Sequence, residues 1–287
     1  MQKIYFLLTI ILIISACKKS ELEQIPGNEP PQDETISSVV IENYITTTYI
    51  LTLGREPDST EFFSARTLLT NSEVDSASRQ IFLESVFSDP DYHPHVYGEN
   101  RFDLLDNVDT VEFSQWTFIF QLFLQDTTYQ NFWPYYQYEA DRMLEMQQAY
   151  NEFVLGSIDV KELQRRMCNN YHYDRINMGS ANFVISTFNQ LIKRNPTSSE
   201  QQAGVSMVDG NNAVLFLTSG SSKDDYLDIF LNSSDYYEGQ VIFMYFKYLN
   251  RNPTSVEMSN GSLKYSTTGD YTSFQRDILS SDEFIGL

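Results

Sequence analysis

Apolar positions recur along this chain at helical spacing, and in three places they fall in the same register. Ile45, Tyr49 and Leu53 form one set, Val184, Phe188 and Ile192 a second, and Val241, Tyr245 and Leu249 a third. Steps of four align each set on one stripe of a helix. Two residues beyond each stripe comes an arginine: "REPDSTE" at Arg55–Glu61, "RNPTSSE" at Arg194–Glu200 and "RNPTSVE" at Arg251–Glu257. The last four residues of each spell a capping box, in which Asp58, Thr197 or Thr254 caps a new helix and the glutamate reaches back. Pro57, Pro196 and Pro253 cannot continue the preceding helix. Each copy therefore predicts helix, sharp turn, helix. Each then closes on an apolar segment and a Ser/Asp/aromatic ending, at Tyr92, Tyr237 and Phe284, which lie 37, 43 and 33 residues after the arginine.

The expected fold is mainly α: a helical repeat or bundle of helix–Pro turn–helix units behind a flexible N-terminal tether. The expected divisions are unit 1 at 36–96, a helical middle region at 97–181, unit 2 at 182–237 and unit 3 at 238–287. In the middle region, Val111–Leu124 is apolar on most sides and reads as a buried helix or packing surface. Tyr136–Gly156 holds strong helix formers and ends in glycine. Asp159 reads as the N-cap of a further helix, with Glu162 in the capping-box position. Asn177–Ser180 reads as a loop leading into unit 2. Ala213–Leu217 fits a short strand or a helical turn. The repeated charges have a structural account: Arg55, Arg194 and Arg251 end helices, where a cation is favoured, and Glu61, Glu200 and Glu257 begin them, where an anion is favoured.

A different pattern opens the chain. Lys3 precedes an apolar run from Ile4 to Ile14, broken only by Thr9. That run is shorter than the roughly 20 residues a spanning helix needs and has the form of a signal peptide, expected at 1–16. Ile14-Ser15-Ala16-Cys17 resembles the lipobox of bacterial lipoproteins, which implies lipid attachment at Cys17 and an anchor stable once more than one acyl chain is present. Residues 17–35, with "GNEPPQDE", read as a lipid-anchored disordered tether. Its charged start loosely resembles the export signal of surface lipoproteins of Bacteroidota, and an inner-membrane retention Asp after Cys17 is absent. The expected location is the outer membrane, in reach of the cell surface.

The formal charge of −20 sets the surface against nucleic acid and anionic headgroups. Besides Cys17 the chain has only Cys168, read as a small buried hydrophobe, so no intramolecular structural disulfide is expected. "DPDYHPH" at Asp89–His95 gathers His93 and His95, weak candidates for a metal that would need three or four converging ligands. No cofactor and no catalytic residue is expected, since no nucleophile triad, phosphate loop or haem motif occurs. With 39 carboxylates, a hydrolase pair cannot be chosen by position. The aromatics are densest at "NFWPYYQY", where Trp133, Tyr135 and Tyr136 are the candidates for contact with a partner or a glycan. Asp58-Ser59-Thr60, Asp75-Ser76-Ala77, Asp109-Thr110-Val111 and Asp126-Thr127-Thr128 look like the O-glycosylation triplet of Bacteroidota.

The repeated unit, with "LGREPD" at its first turn and "SSDEF" at its last ending, resembles tandem helical repeats of bacterial surface and exported proteins. It is also similar to the helical domains of phycobilisome linkers. The resemblance covers about 40–92 and 183–287 and implies an all-α fold with an assembly role, without catalytic residues. The functional expectation is a non-enzymatic, lipid-anchored subunit of an envelope complex, with a partner such as an outer-membrane β-barrel. The alternative is a glycan-binding accessory lipoprotein of a nutrient uptake system.

Overall fold

The three apolar stripes become helix interiors. The computed structural model describes residues 36–287; the signal segment, Cys17 and the tether lie outside the described residues. In unit 1, α1 (Ser38–Leu53) buries Ile45, Tyr49 and Leu53, and is followed by α2 (Ser59–Asn71) and α3 (Ser76–Phe87). The middle region holds α4 (Tyr92–Leu105), α5 (Thr110–Gln125), a 3₁₀ turn (Thr127–Phe132), α6 (Trp133–Val154), α7 (Val160–Cys168) and α8 (Tyr171–Ile176). Unit 2 begins with α9 (Ser180–Thr187), which widens into a π turn (Phe188–Ile192), then α10 (Ser198–Val208). A hairpin of β1 (Ala213–Leu215) and β2 (Thr218–Gly220) precedes α11 (Lys223–Leu231) and α12 (Ser234–Leu249). Unit 3 continues from α12 through α13 (Ser255–Thr268), α14 (Tyr271–Leu279) and α15 (Asp282–Ile285).

The expected divisions at 96/97, 181/182 and 237/238 therefore fall inside α4, α9 and α12. In α12 the closing aromatic of unit 2, Tyr237, and the opening stripe of unit 3 share one helix. The segment Ala213–Leu217 resolves into β1 and a tight turn, with Phe216 and Leu217 both at positive φ. Phe216 turns inward, 6.1 Å from Phe188 and 6.4 Å from Phe230 between ring centres. This hairpin, inserted between the second and third helices, occupies the extra length of unit 2.

The units do not simply stack in a row. Unit 3 packs back on unit 1: Arg79 Nη1 donates to Ser280 O at 2.9 Å and to Asp282 Oδ1 at 2.6 Å. Tyr92 Oη donates to Gln275 Oε1 at 2.5 Å, and Tyr44 meets Phe284 edge-on at 6.0 Å. Neighbouring interiors are dense with aromatic pairs of this kind, which add to the area they bury.

In the middle region one expectation is narrowed and one is corrected. Val111–Leu124 is buried on one face only, through Phe113, Thr117 and Phe120, while Phe118 and Leu122 stand in solvent. Its apolar positions go all round, but among the described residues only α6 and the adjoining turn pack extensively against it. At α7, Asp159 accepts from the Glu162 amide, but the Glu162 side chain binds Arg166 Nε at 2.8 Å instead of returning to the cap. An ion pair one turn away competes for that carboxylate and the box stays half-formed.

Candidate functional site

The repeated arginines come first, because their geometry decides whether they form a site. All three capping boxes are complete. Each arginine also takes the box glutamate as a bidentate partner: Arg55 to Glu61 at 2.8 and 2.8 Å, Arg194 to Glu200 at 2.9 and 2.7 Å, Arg251 to Glu257 at 2.9 and 2.7 Å. A carboxylate from the closing segment completes each cluster: Asp89 and Asp91 for Arg55, Asp235 for Arg194, Glu283 for Arg251. Under each guanidinium lies the aromatic of its own stripe, Tyr49, Phe188 or Tyr245, at 5.5, 5.1 and 5.2 Å. The planar fork of arginine suits this double duty. The Arg194 and Arg251 hydrogen bonds hold the Glu200 and Glu257 carboxyls down at about 2. The repeated arginine and glutamate of the motif are thus answered inside the chain, and the clusters clamp three helix termini together.

Sequence reasoning missed one member of the repeat. Four residues after each box glutamate stands a small residue, Ala65, Gly204 or Gly261. A Cβ on Gly204 would come within 2.9 Å of Val184 and Tyr226, and one on Gly261 within 3.0 Å of Val241 and Phe274. The signal was present as a small residue in register with the motif.

The singled-out residues of the middle go to separate places. His93 packs edge-on between Tyr92 and Phe153, at 5.0 and 5.2 Å, and burial lowers its pKa. His95 lies over the first turn, its Nε2 3.3 Å from Glu99 Oε1. Among the described residues no group of three His, Cys, Asp or Glu is placed to hold a metal ion. Cys168 is fully buried, and burial pushes its thiol up to about 12, so it stays protonated at neutral pH. Trp133 Nε1 donates to the carbonyls of Phe123 and Asp126 at 3.1 and 3.3 Å, closing the α5–α6 connection. Tyr136 is half-buried against Phe123 at 4.8 Å. Of the three, only Tyr135 is largely offered to solvent. All four Asp-Ser/Thr triplets lie at element starts, with Asp58, Asp75, Asp109 and Asp126 as N-caps. Capping accounts for the aspartate of each triplet.

Within α6 a buried charge network begins. Arg142, 4% exposed, pairs with Glu139 at 2.6 Å and Asp174 at 3.2 Å, and donates to Asn169 at 3.0 Å. Lys223 of α11 closes on Asp174, joining the middle region to unit 2.

The largest concavity among those characterised is an open groove of about 720 Å³ between α4 and α12, with Leu51 of α1 at one end. Phe102 and Phe246 stand on its walls, 66% and 63% exposed. On its floor Lys247 holds both oxygens of Glu99 at 2.7 Å, and Lys247 is only 12% exposed. Burial works to raise the Glu99 pKa, but His95 and Lys247 together bring it below the usual carboxylate range. In an adjoining pocket, Lys193 rests 4.9 Å from the Phe243 ring, its pKa pulled down by burial with Asp103 opposing. Acid and base on this floor are tied to each other, while the walls are apolar and aromatic.

No protein-family profile matches the chain, and no curated protein or solved structure is significantly similar to it. Among the described residues, no helix is long and apolar enough to cross a membrane.

Proposed function

We propose that this chain is a non-catalytic partner-binding subunit, lipid-anchored at the outer membrane through Cys17, within an envelope complex. The observation that carries the reading is the contrast between its charges and its aromatics. The repeated ion clusters are spent on holding the helices together, and the largest groove offers exposed phenylalanines over a floor whose Glu99 and Lys247 neutralise each other. Such a surface supplies contact area and shape, as protein interfaces use aromatic anchors in desolvated settings.

The test is purification of the C-terminally tagged chain from membranes in mild detergent. A stoichiometric envelope protein such as a β-barrel is expected to accompany it. Recovery of the chain alone, folded and lipidated, would sink the subunit reading. Cys17→Ala should abolish fatty-acid labelling and release the protein from membranes; persistent labelling would refute the anchor.

A further inference from the structure

Four glycines lie inside helices of the described residues: Gly98 in α4, Gly204 in α10, Gly239 in α12 and Gly261 in α13. A glycine there weakens the helix relative to alanine, so each asks for a reason. Gly204 and Gly261 admit the neighbouring side chains described above. Gly239 admits backbone: a Cβ would lie 2.3 Å from Leu191 O and 2.5 Å from Ile192 Cα. Gly98 differs, because a Cβ there would meet nothing within 4 Å among the described residues, and its φ is ordinary. It lies on the wall of the open groove between α4 and α12.

We propose that this groove receives an α-helix of a partner protein, an amphipathic helix with an apolar ridge and basic flanks, seated against Gly98. Wherever else this chain interrupts a helix with glycine, another element packs into the space. At Gly98 no element of the described residues fills the space, and the element that does so belongs to another molecule. Pro94, Gly98 and Phe102 follow one another at steps of four, a single row along α4 with a gap at its centre. A row of that kind is what the ridge of a second helix enters. The eight steps from Pro94 to Phe102 span about 12 Å, the width of a crossing helix with its side chains. Phe246, exposed on α12, faces the same space and supplies the opposite wall.

Charge selects the kind of helix. The chain carries −20, and at the groove Glu99 is neutralised by Lys247 while the Asp103 carboxylate, with Lys193 nearby, makes no ion pair among the described residues. A second copy of this chain brings the same charge and is repelled; a helix with lysines or arginines beside its apolar ridge is attracted. The inference rests on the partner-binding reading and adds to it a place and a chemistry.

The experiment uses the full chain in the cells that make it, with a photo-crosslinking phenylalanine analogue replacing Phe246. The crosslinked peptide is expected to carry apolar residues at steps of three and four with an excess of Lys and Arg. Gly98→Leu should leave the thermal midpoint of the purified chain unchanged or higher and reduce crosslinking at least tenfold. Gly98→Ala should reduce it less. Undiminished crosslinking in Gly98→Leu overturns the proposal, as does a lowered midpoint, which would make the glycine structural. A crosslink to a second copy, to lipid or to sugar also overturns it, and so does the absence of any crosslink. If an envelope protein still co-purifies in these cases, the groove is wrong and the subunit reading stands; if none does, both fall.

Discussion

The first and second turns solve one packing problem with opposite residues. In both, the helix before the arginine ends on a left-handed residue, Gly54 at φ 72° and Lys193 at φ 63°. In both, the closing helix crosses over that ending three residues after its leading tyrosine, at His95 after Tyr92 and at Gly239 after Tyr236. Unit 1 puts the glycine on the turn and the large ring on the helix: a Cβ on Gly54 would meet His95 Nδ1 at 2.5 Å. Unit 2 puts the large residue on the turn and the glycine on the helix, so that α12 lies against the π turn itself. Gln240 Nε2 then donates to Leu191 O at 3.1 Å, satisfying a carbonyl beside the widened turn. Both clusters keep the arginine–glutamate fork and at least one closing carboxylate, so the repeat holds its electrostatics and exchanges its sterics. Only the sum of the two facing residues is constrained.

Gly239→Ala should break this comparison most severely. The atoms it would strike are backbone, which cannot rotate away, and a loss of about 3 kcal/mol or failure to fold is expected by urea unfolding. A loss under about 1 kcal/mol would mean that α12 can lift off the turn freely. Gly54→Ala should cost about 2 kcal/mol, part from the left-handed backbone and part from displacing His95. The double variant Gly54→Ala/His95→Ala should recover the steric part, giving a favourable coupling in a double-mutant cycle. Strict additivity would show that the ring yields without cost. The smallest effect concerns what the turns share. Glu200 and Glu257 titrate at about 2 when folded, against 4.5 ordinarily, so their contribution is whole above about pH 4.5 and is lost as pH falls towards 2. Glu200→Gln/Glu257→Gln should flatten the fall in stability over that window; an unchanged acid limb would show that these clusters contribute little, as exposed ion pairs often do.

Legibility followed distance along the chain. The capping boxes, stripes and prolines lie within a few turns of one another and were readable, as were the fold class and the helical character of the middle. The third member of each arginine cluster was not, since Arg55 finds Asp91 36 residues on and Arg194 finds Asp235 41 residues on. The groove was less legible still: its floor pair, Glu99 and Lys247, is 148 residues apart. The segment around Trp133 drew attention because aromatics are dense there, but density reports how much apolar area a segment has and says nothing about which face is covered. Trp133 and Tyr136 turned to internal contacts, while Phe102 and Phe246, unremarkable in sequence, stayed in solvent.

By itself the sequence determined the helices, their caps and the three punctuating turns, because these depend on local hydrogen bonding and on periodicities of a few residues. It also bears the overall acidity, which is a property of composition. Tertiary structure alone decided that unit 3 returns to unit 1, that large and small residues trade places between turns, and that α4 and α12 leave a groove between them. Those outcomes depend on side chains meeting across tens to hundreds of residues, where steric fit selects the arrangement and no short pattern records it.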